Sequence, residues 1–497
     1  MVISQSIIIQ NLLVFLGVSA IGLFIAARKF RLHNKALALF TSFVLLIAGF
    51  YLLNTPFFPK NWFPVDGLLR YSDSVFFTIE PGATLISFLV LLIGFIVTVF
   101  NAGYLKYEHR QHTFYPLFLY LIIGILGMIW ASDLLMVYLF SELMNISAYV
   151  LVAFRRKNKT AIEAGFKYLI MSSVASVIVL AGICIFIYTD KTTLISSISI
   201  DDNWLSLLAA IFILSGFSLK SALVPLHTWL PDAHGKAPSS ISAVLSGVMV
   251  QSVFYTMVRT SLAIGMDPGL LGFILLVLAT LNIIVGNLMG ILQPGLKRML
   301  GYSTIAQMGY IVMCFSIGLR NGSALAIQSG FFIIIAHALA KSLAFLSAGI
   351  FYYQNSVNLV KDIREVKKHP YFTYIVFSAA VFSLSAIPPF PGFTGKWTAL
   401  TSVFAAGDPF VVWIALTFLL GSLLAFGYYL PLLVNLSNRF VGRGNKSENS
   451  DPSEALSIWM KVPAAFLLLS IMGLIIFPQV IIDYTFQAAH YLLGLVK

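Results

Sequence analysis

The sequence predicts an all-α integral membrane protein of about fourteen transmembrane helices. Three observations predict it: 59% of its residues are hydrophobic, only 10% are charged, and long apolar runs recur from end to end. A soluble domain carries about a quarter charged residues to cover its surface. A chain of 497 residues with this composition cannot do so in water, and lipid is its expected solvent. A helix of about 20 apolar residues crosses the hydrocarbon core. One membrane domain over 1–497 is expected, without a sizeable water-soluble module.

Taken in order, the apolar runs place spans at 6–27, 36–53, 80–103, 115–131, 134–154, 162–187, 204–224, 239–262, 269–290, 297–318, 323–352, 373–389 continuing to 405, 411–436 and 459–483. The first run has no basic segment ahead of it and reads as a retained helix, not a cleaved signal. The stretch 54–79, rich in proline, aromatic and polar residues, reads as an extramembrane loop, as does the polar connection 437–458.

The distribution of charge tests this map. Of the 31 Lys and Arg, 21 fall in odd-numbered connections and five in even-numbered ones: Lys60, Arg70, Lys191, Arg259 and Arg320. Basic residues are retained on the cytoplasmic side. Odd connections are therefore expected to be cytoplasmic, with both termini on the other side of the cell (inner) membrane. The net charge of +12 is spread over short loops and forms no patch for nucleic acid. Cys184 and Cys314 both lie in apolar runs without metal or disulfide spacing, and read as small buried hydrophobes.

Two spans read as interrupted. In SGFSLKSALVPLHTWLPDAHGKAP, Pro225 and Pro231 follow Lys220; in SLSAIPPFPGFTGKW, Pro388, Pro389 and Pro391 precede Lys396. Proline removes an intrahelical hydrogen bond, which is tolerated at depth only where protein or water satisfies the freed carbonyls. A Lys beside a break thus occurs once in each half, pointing to repeats over helices 4–8 and 9–13 with broken helices 7 and 12. The corresponding segments are 115–262 and 269–436.

The candidate functional residues are charges where charge is costly. A lone charge at mid-bilayer costs several kcal/mol and is usually paired or functional. Lys220 lies well inside its span, and Glu142 has no cation in its own helix. A pair between them costs less than two lone charges and lets each tune the other's proton affinity. His337 and Lys341 lie four residues apart on one helical face, a pairing suited to proton relay. Lys396 lies inside the membrane if its segment continues to about 405. His227, just past Pro225, reads as an entry relay or a structural partner for a freed carbonyl. Asp232 and His234 read as structural, Lys167 with Glu163 as a solvated interfacial pair, and Asp133 as a turn residue. No GxGxxG, Walker A, metal cluster or CxxC is present, so neither cofactor nor metal is expected. Energy must then come from an ion gradient or a partner.

The blocks LMVYLFSELMNISAYVLVAFR, LKSALVPLHTWLPDAHGKAPSSISAVLSG, LKRMLGYSTIAQMGYIVM, AHALAKSLAFLSAG and PPFPGFTGKW resemble the antiporter-like subunits shared by complex I, Mrp cation/proton antiporters and membrane-bound hydrogenases. The resemblance covers helices 4 to 12 and implies fourteen helices with two inverted five-helix repeats. By position, Glu142 matches the family's helix-5 glutamate and Lys220 its helix-7 lysine. His337 and Lys341 match the helix-11 pair of some branches, and Lys396 the helix-12 terminal residue. Lysine there, without a long C-terminal extension, is most similar to the Mrp D type or its hydrogenase counterparts. Gln251 stands where relatives carry a helix-8 lysine, and Gln307 where some carry histidine. The resemblance implies translocation of protons, alone or in exchange for sodium, by a subunit that works with other membrane subunits of an antiporter, hydrogenase or dehydrogenase complex. Gln251 motivates a rival reading, a non-conducting scaffold subunit of a redox-driven oxidoreductase complex. A stand-alone carrier of organic solutes ranks last.

Overall fold

The computed structural model describes residues 5–30, 32–53, 77–200, 203–355, 359–365, 370–441 and 456–495. Most of the expected loops at 54–79 and 437–458, with Lys60, Arg70 and Lys497, lies outside the described residues. The described residues form α-helices with no β-sheet, only isolated bridges such as Asp133 with Leu194.

The helices are α1 (Gln5–Phe30), α2 (Asn34–Leu53), α3 (Pro81–Tyr104), α4 (Gln111–Trp130), α5 (Leu134–Val152), α6 (Lys159–Asp190), α7 (Trp204–Lys220), α8 (Trp229–Lys236) and α9 (Ser239–Val244). They continue with α10 (Val250–Ala263), α11 (Pro268–Ile291), α12 (Leu296–Asn321), α13 (Ala324–Asn355), α14 (Pro370–Leu384), α15 (Pro391–Ala406), α16 (Val411–Val441), α17 (Ile458–Ile476) and α18 (Gln479–Gly494). Among the described residues, 12 helical segments are long and apolar enough to cross a membrane, with α9 and α10 forming one of them. Two shorter apolar helices, α7 and α14, belong to the expected interrupted spans.

Local chemistry sets the helix starts. Asp133, Asn158, Asn203 and Asp267 accept hydrogen bonds from the first free N–H groups of α5, α6, α7 and α11. Pro81, Pro268 and Pro391 open α3, α11 and α15, where a missing N–H costs nothing. Packing is concentric. The apolar windows of α9–α10, α12 and α13 are wholly buried, whereas α1, α6 and α16 present outward stripes including Val18, Val177 and Leu423. Between α11 and α12 the backbones meet closely: a Cβ at Gly286 would lie 2.6 Å from the Ala306 nitrogen. The inner helices can therefore hold polar side chains away from lipid.

Several expectations need correction. Helix α7 ends at Lys220, not at 224. Span 14 ends at Ile476, and α18 is an additional helix packed on α3 and α13. Arg259 is not a loop residue but lies buried inside α10. Cys184 is exposed on α6, while Cys314 is buried as expected.

The two breaks share a backbone pattern. After α7, Ala222 N–H donates to the Leu219 carbonyl (3.1 Å) and Leu223 N–H to that of Ser218 (2.9 Å), with Ala222 at φ 54°. After α14, Ala386 N–H donates to the Ser383 carbonyl (3.1 Å) and Ile387 N–H to that of Phe382 (3.1 Å), with Ala386 at φ 55°. Both are Schellman caps, a motif that usually places glycine at the left-handed position. In this register Lys220 corresponds to Leu384. Lys220 is thus the last residue before its break, whereas Lys396 lies in the second turn of α15 after the other. The breaks match between the halves; the lysines do not. Because alanine is strained in the left-handed region, Ala386→Gly is expected to stabilise the protein by on the order of 0.5 kcal/mol. A small upward shift in the thermal unfolding midpoint would register it, and a downward shift would contradict it.

Candidate functional site

The candidate lysines lie in three buried polar settings. The first joins α5, α6 and α7. Lys220 Nζ donates to Glu142 Oε1 at 2.8 Å and to Ser141 Oγ at 2.9 Å, and the Ser176 hydroxyl donates to the same carboxylate oxygen. The lysine side chain is 1% exposed and the glutamate 26%. Glu142 shares its outward stripe with Leu135, Leu139 and Ile146, all exposed. The carboxylate therefore sits at the outer edge of the helix bundle, and the ammonium reaches it from inside. An ammonium beside a carboxylate holds its proton differently from one without a counter-charge.

The second place lies around the middle of α13. His337 and Lys341 share a face but find separate partners. His337 Nε2 lies 3.3 Å from the Ser246 carbonyl and its Nδ1 has no partner among the described residues. Ser246 belongs to a π-helical turn, Leu245–Met249, which joins α9 to α10. Such turns occur frequently at functional sites. Lys341 Nζ donates to the Leu300 carbonyl at 2.8 Å and to the Ser303 hydroxyl, both on α12. Gln251, on α10, is buried and its Nε2 has no partner among the described residues.

The third place is Lys396. Its Nζ lies 3.5 Å from Ser422 Oγ on α16 and 3.5 Å from the centre of the Tyr310 ring on α12. The π face supplies part of what a counter-ion would. Among the described residues, neither Lys341 nor Lys396 forms an ion pair, in contrast to Lys220.

Helix contacts order these places. Helix α7 packs on α6 and α10, the π turn on α13, and α13 on α15. Gln251 thus stands on the helix between Lys220 and the His337–Lys341 pair. Gln307 takes a different post: its Nε2 donates to the Leu384 carbonyl at 2.8 Å, a group freed by the second break. His227 lies half-buried between α7 and α8, its ring 6.5 Å from that of Tyr302. Asp232 pairs with Lys167 at 3.3 Å and Arg298 at 3.2 Å, and Lys167 with Glu163 at 2.9 Å, all partly exposed.

Sequence reasoning missed two buried ion pairs, while it read His234 as structural. Arg259 Nη1 lies 3.5 Å from Glu80 Oε1 and donates to the Ile129 carbonyl at 2.8 Å, while Nη2 donates to that of Ala131. Tyr255 donates to the other oxygen of Glu80. Arg320 pairs with the fully buried Asp408 at 3.0 Å, assisted by Asn321. His234 is buried with both ring nitrogens unpartnered among the described residues, and packs against Gly301 beside Leu300 and Ser303, the partners of Lys341. Among the described residues no cluster of His, Cys, Asp and Glu could hold a metal ion.

Known proteins are similar to this chain in sequence and in fold. A family model described as NADH:quinone oxidoreductase/Mrp antiporter, transmembrane, matches residues 131–424. The chain is 32% identical to an NADH-quinone oxidoreductase subunit N of Desulforudis audaxviator over 404 residues, 78% of each chain. It is 28% identical to the D-type subunit of the Na(+)/H(+) antiporter of Alkalihalophilus pseudofirmus over 368 residues, 72% of this chain and 71% of that one. Its fold superposes on a chain of the membrane-bound sulfane sulfur reductase, an archaeal respiratory membrane complex, with TM-score 0.83 and 21% identity, covering 98% of this chain and 99% of the other. The protein is a multi-pass membrane protein belonging to the NADH:quinone oxidoreductase/Mrp antiporter transmembrane family.

Proposed function

We propose that the chain is the proton-translocating subunit of a larger ion-pumping membrane complex. The observation that carries this reading is the Lys220–Glu142 pair, a buried ammonium at the end of a half-helix facing a carboxylate at the edge of the bundle. A neighbouring subunit on the outward stripe of α5 would control that carboxylate. Lys341 and Lys396 extend the path: a buried lysine held by neutral oxygens or a ring has two accessible charge states. In this reading Glu142 tunes Lys220, His337 and Lys341 relay, Lys396 releases, and His227 admits protons beside the first break. The axis runs through mid-membrane water, with Gln251 contributing a hydrogen-bonding amide instead of a charge. The driving reaction belongs to partner subunits.

The topology fits this role. Counting α7–α8 and α14–α15 as broken crossings beside the twelve long ones gives fourteen, and the matching caps support inverted repeats over 115–262 and 269–436. Odd connections then face the cytoplasm and both termini the opposite side of the cell membrane.

The unpartnered Gln251 amide favours a second reading, a scaffold that conducts nothing. Coupling measured in vesicles containing the assembled complex separates the two. Lys341→Ala is expected to reduce proton movement at least about tenfold, since neutral Ser303 and Leu300 oxygens cannot replace a protonatable group. Gln251→Lys is expected to change the coupling ratio. Unaltered coupling in both variants would support the scaffold. Repeating the assay with and without sodium decides which ion is exchanged.

A further inference from the structure

A groove of about 380 Å³ lies on the outside of the bundle, and none of the buried lysines lines it. Its floor is one stripe of α4: Thr113, Pro116, Leu117 and Tyr120, spaced to share a face. Ile21 and Phe24 of α1 form one wall, and Val150 and Phe154 at the end of α5 the other. Two guanidinium-bearing residues, Arg110 and Arg156, stand at its mouth. From Arg110 to Tyr120 the helix rises about 15 Å, half the thickness of a hydrocarbon core of about 30 Å. The groove therefore runs inward from a basic rim over a length that matches one leaflet.

The rim is cationic and uncompensated. Arg110 and Arg156 are exposed and form no ion pair among the described residues. Lys157 and Lys159 line the adjoining cavity. The nearby carboxylate of Glu108 is already bound by Arg155 at 2.7 Å. Arg110 also holds a left-handed backbone, φ 64°, where glycine would sit without strain.

We infer that this groove is a specific site for an anionic phospholipid, its acyl chain along the α4 stripe and its phosphate between Arg110 and Arg156. Apolar walls alone would accept any lipid; the paired guanidinium groups select the negatively charged headgroup. The inference does not rest on the proposed proton path and survives if that reading fails.

The test uses the full-length protein in mild detergent, exchanged with phosphatidylglycerol or phosphatidylcholine of identical acyl chains and read by native mass spectrometry. Phosphatidylglycerol is expected to be retained preferentially, with about a fivefold loss of that preference for each arginine removed in Arg110→Gln and Arg156→Gln. Equal retention of the two lipids, or undiminished preference in the double variant, would overturn the proposal. A diazirine side chain in place of Leu117, photoactivated in native membranes, should give a phospholipid adduct. An adduct to another polypeptide would instead assign the groove to a partner protein. Displacement of phosphatidylglycerol by inorganic phosphate alone would reduce it to a simple anion site and likewise count against it.

Discussion

Glu142→Gln is expected to lower proton flux through vesicles carrying the assembled complex by at least about tenfold, while the complex still assembles. The amide can accept the Ser176 hydroxyl and the Lys220 ammonium, so the hydrogen-bond geometry around Lys220 survives. What disappears is the negative charge that stabilises the buried ammonium. With the carboxylate 26% exposed, the loss is smaller than the about 3–5 kcal/mol of a fully buried pair, but a barrier change of only about 1.4 kcal/mol is already tenfold in rate. Lys220→Ala should show the same loss, because it removes the proton carrier instead of its counter-charge. The two lesions act on one unit, so the double variant should be scarcely worse than either single one. Normal flux in both single variants would end the assignment of a proton path to this pair.

The second large effect concerns stability. Arg259→Met is expected to destabilise the protein by about 3–5 kcal/mol, because Glu80 is left as an uncompensated buried charge. The Ile129 and Ala131 carbonyls at the end of α4 lose their donor as well. Arg259→Lys should recover only part of this, since an ammonium cannot reach the carboxylate and both carbonyls as a planar fork does. Adding Glu80→Gln to Arg259→Met should relieve part of the penalty. Thermal unfolding of the purified variants measures all three. A wild-type midpoint for Arg259→Met would show that the pair is not structural.

The sequence disclosed the parts of this fold that are written in single segments. Apolar runs located the spans, and proline with charge located both breaks. The rarity of charge in apolar helices singled out Glu142, Lys220, Lys341 and Lys396. It hid what depends on segments meeting. Glu80 and Arg259 lie 179 residues apart, and neither spacing nor composition links them. Arg259 looked like a loop residue because it stands near the end of its run. The stop of α7 at Lys220 was misplaced for a local reason: the residue taking the left-handed turn is Ala222, not the glycine that usually announces a Schellman cap. The π turn at 245–249 leaves no mark in composition, although it supplies the carbonyl that faces His337.

The capped ends of α7 and α14 have an electrical consequence. Each half-helix terminates at depth, and aligned peptide dipoles place about half a negative charge at such an end. At the first end the Trp229 indole donates to the Leu219 carbonyl at 3.0 Å, while the Lys220 ammonium turns away to Glu142. At the second the Gln307 amide donates to the Leu384 carbonyl at 2.8 Å. Each end is thus met by a neutral donor on one freed carbonyl and keeps most of its negative potential. A positive charge would find one such basin in each half of the bundle.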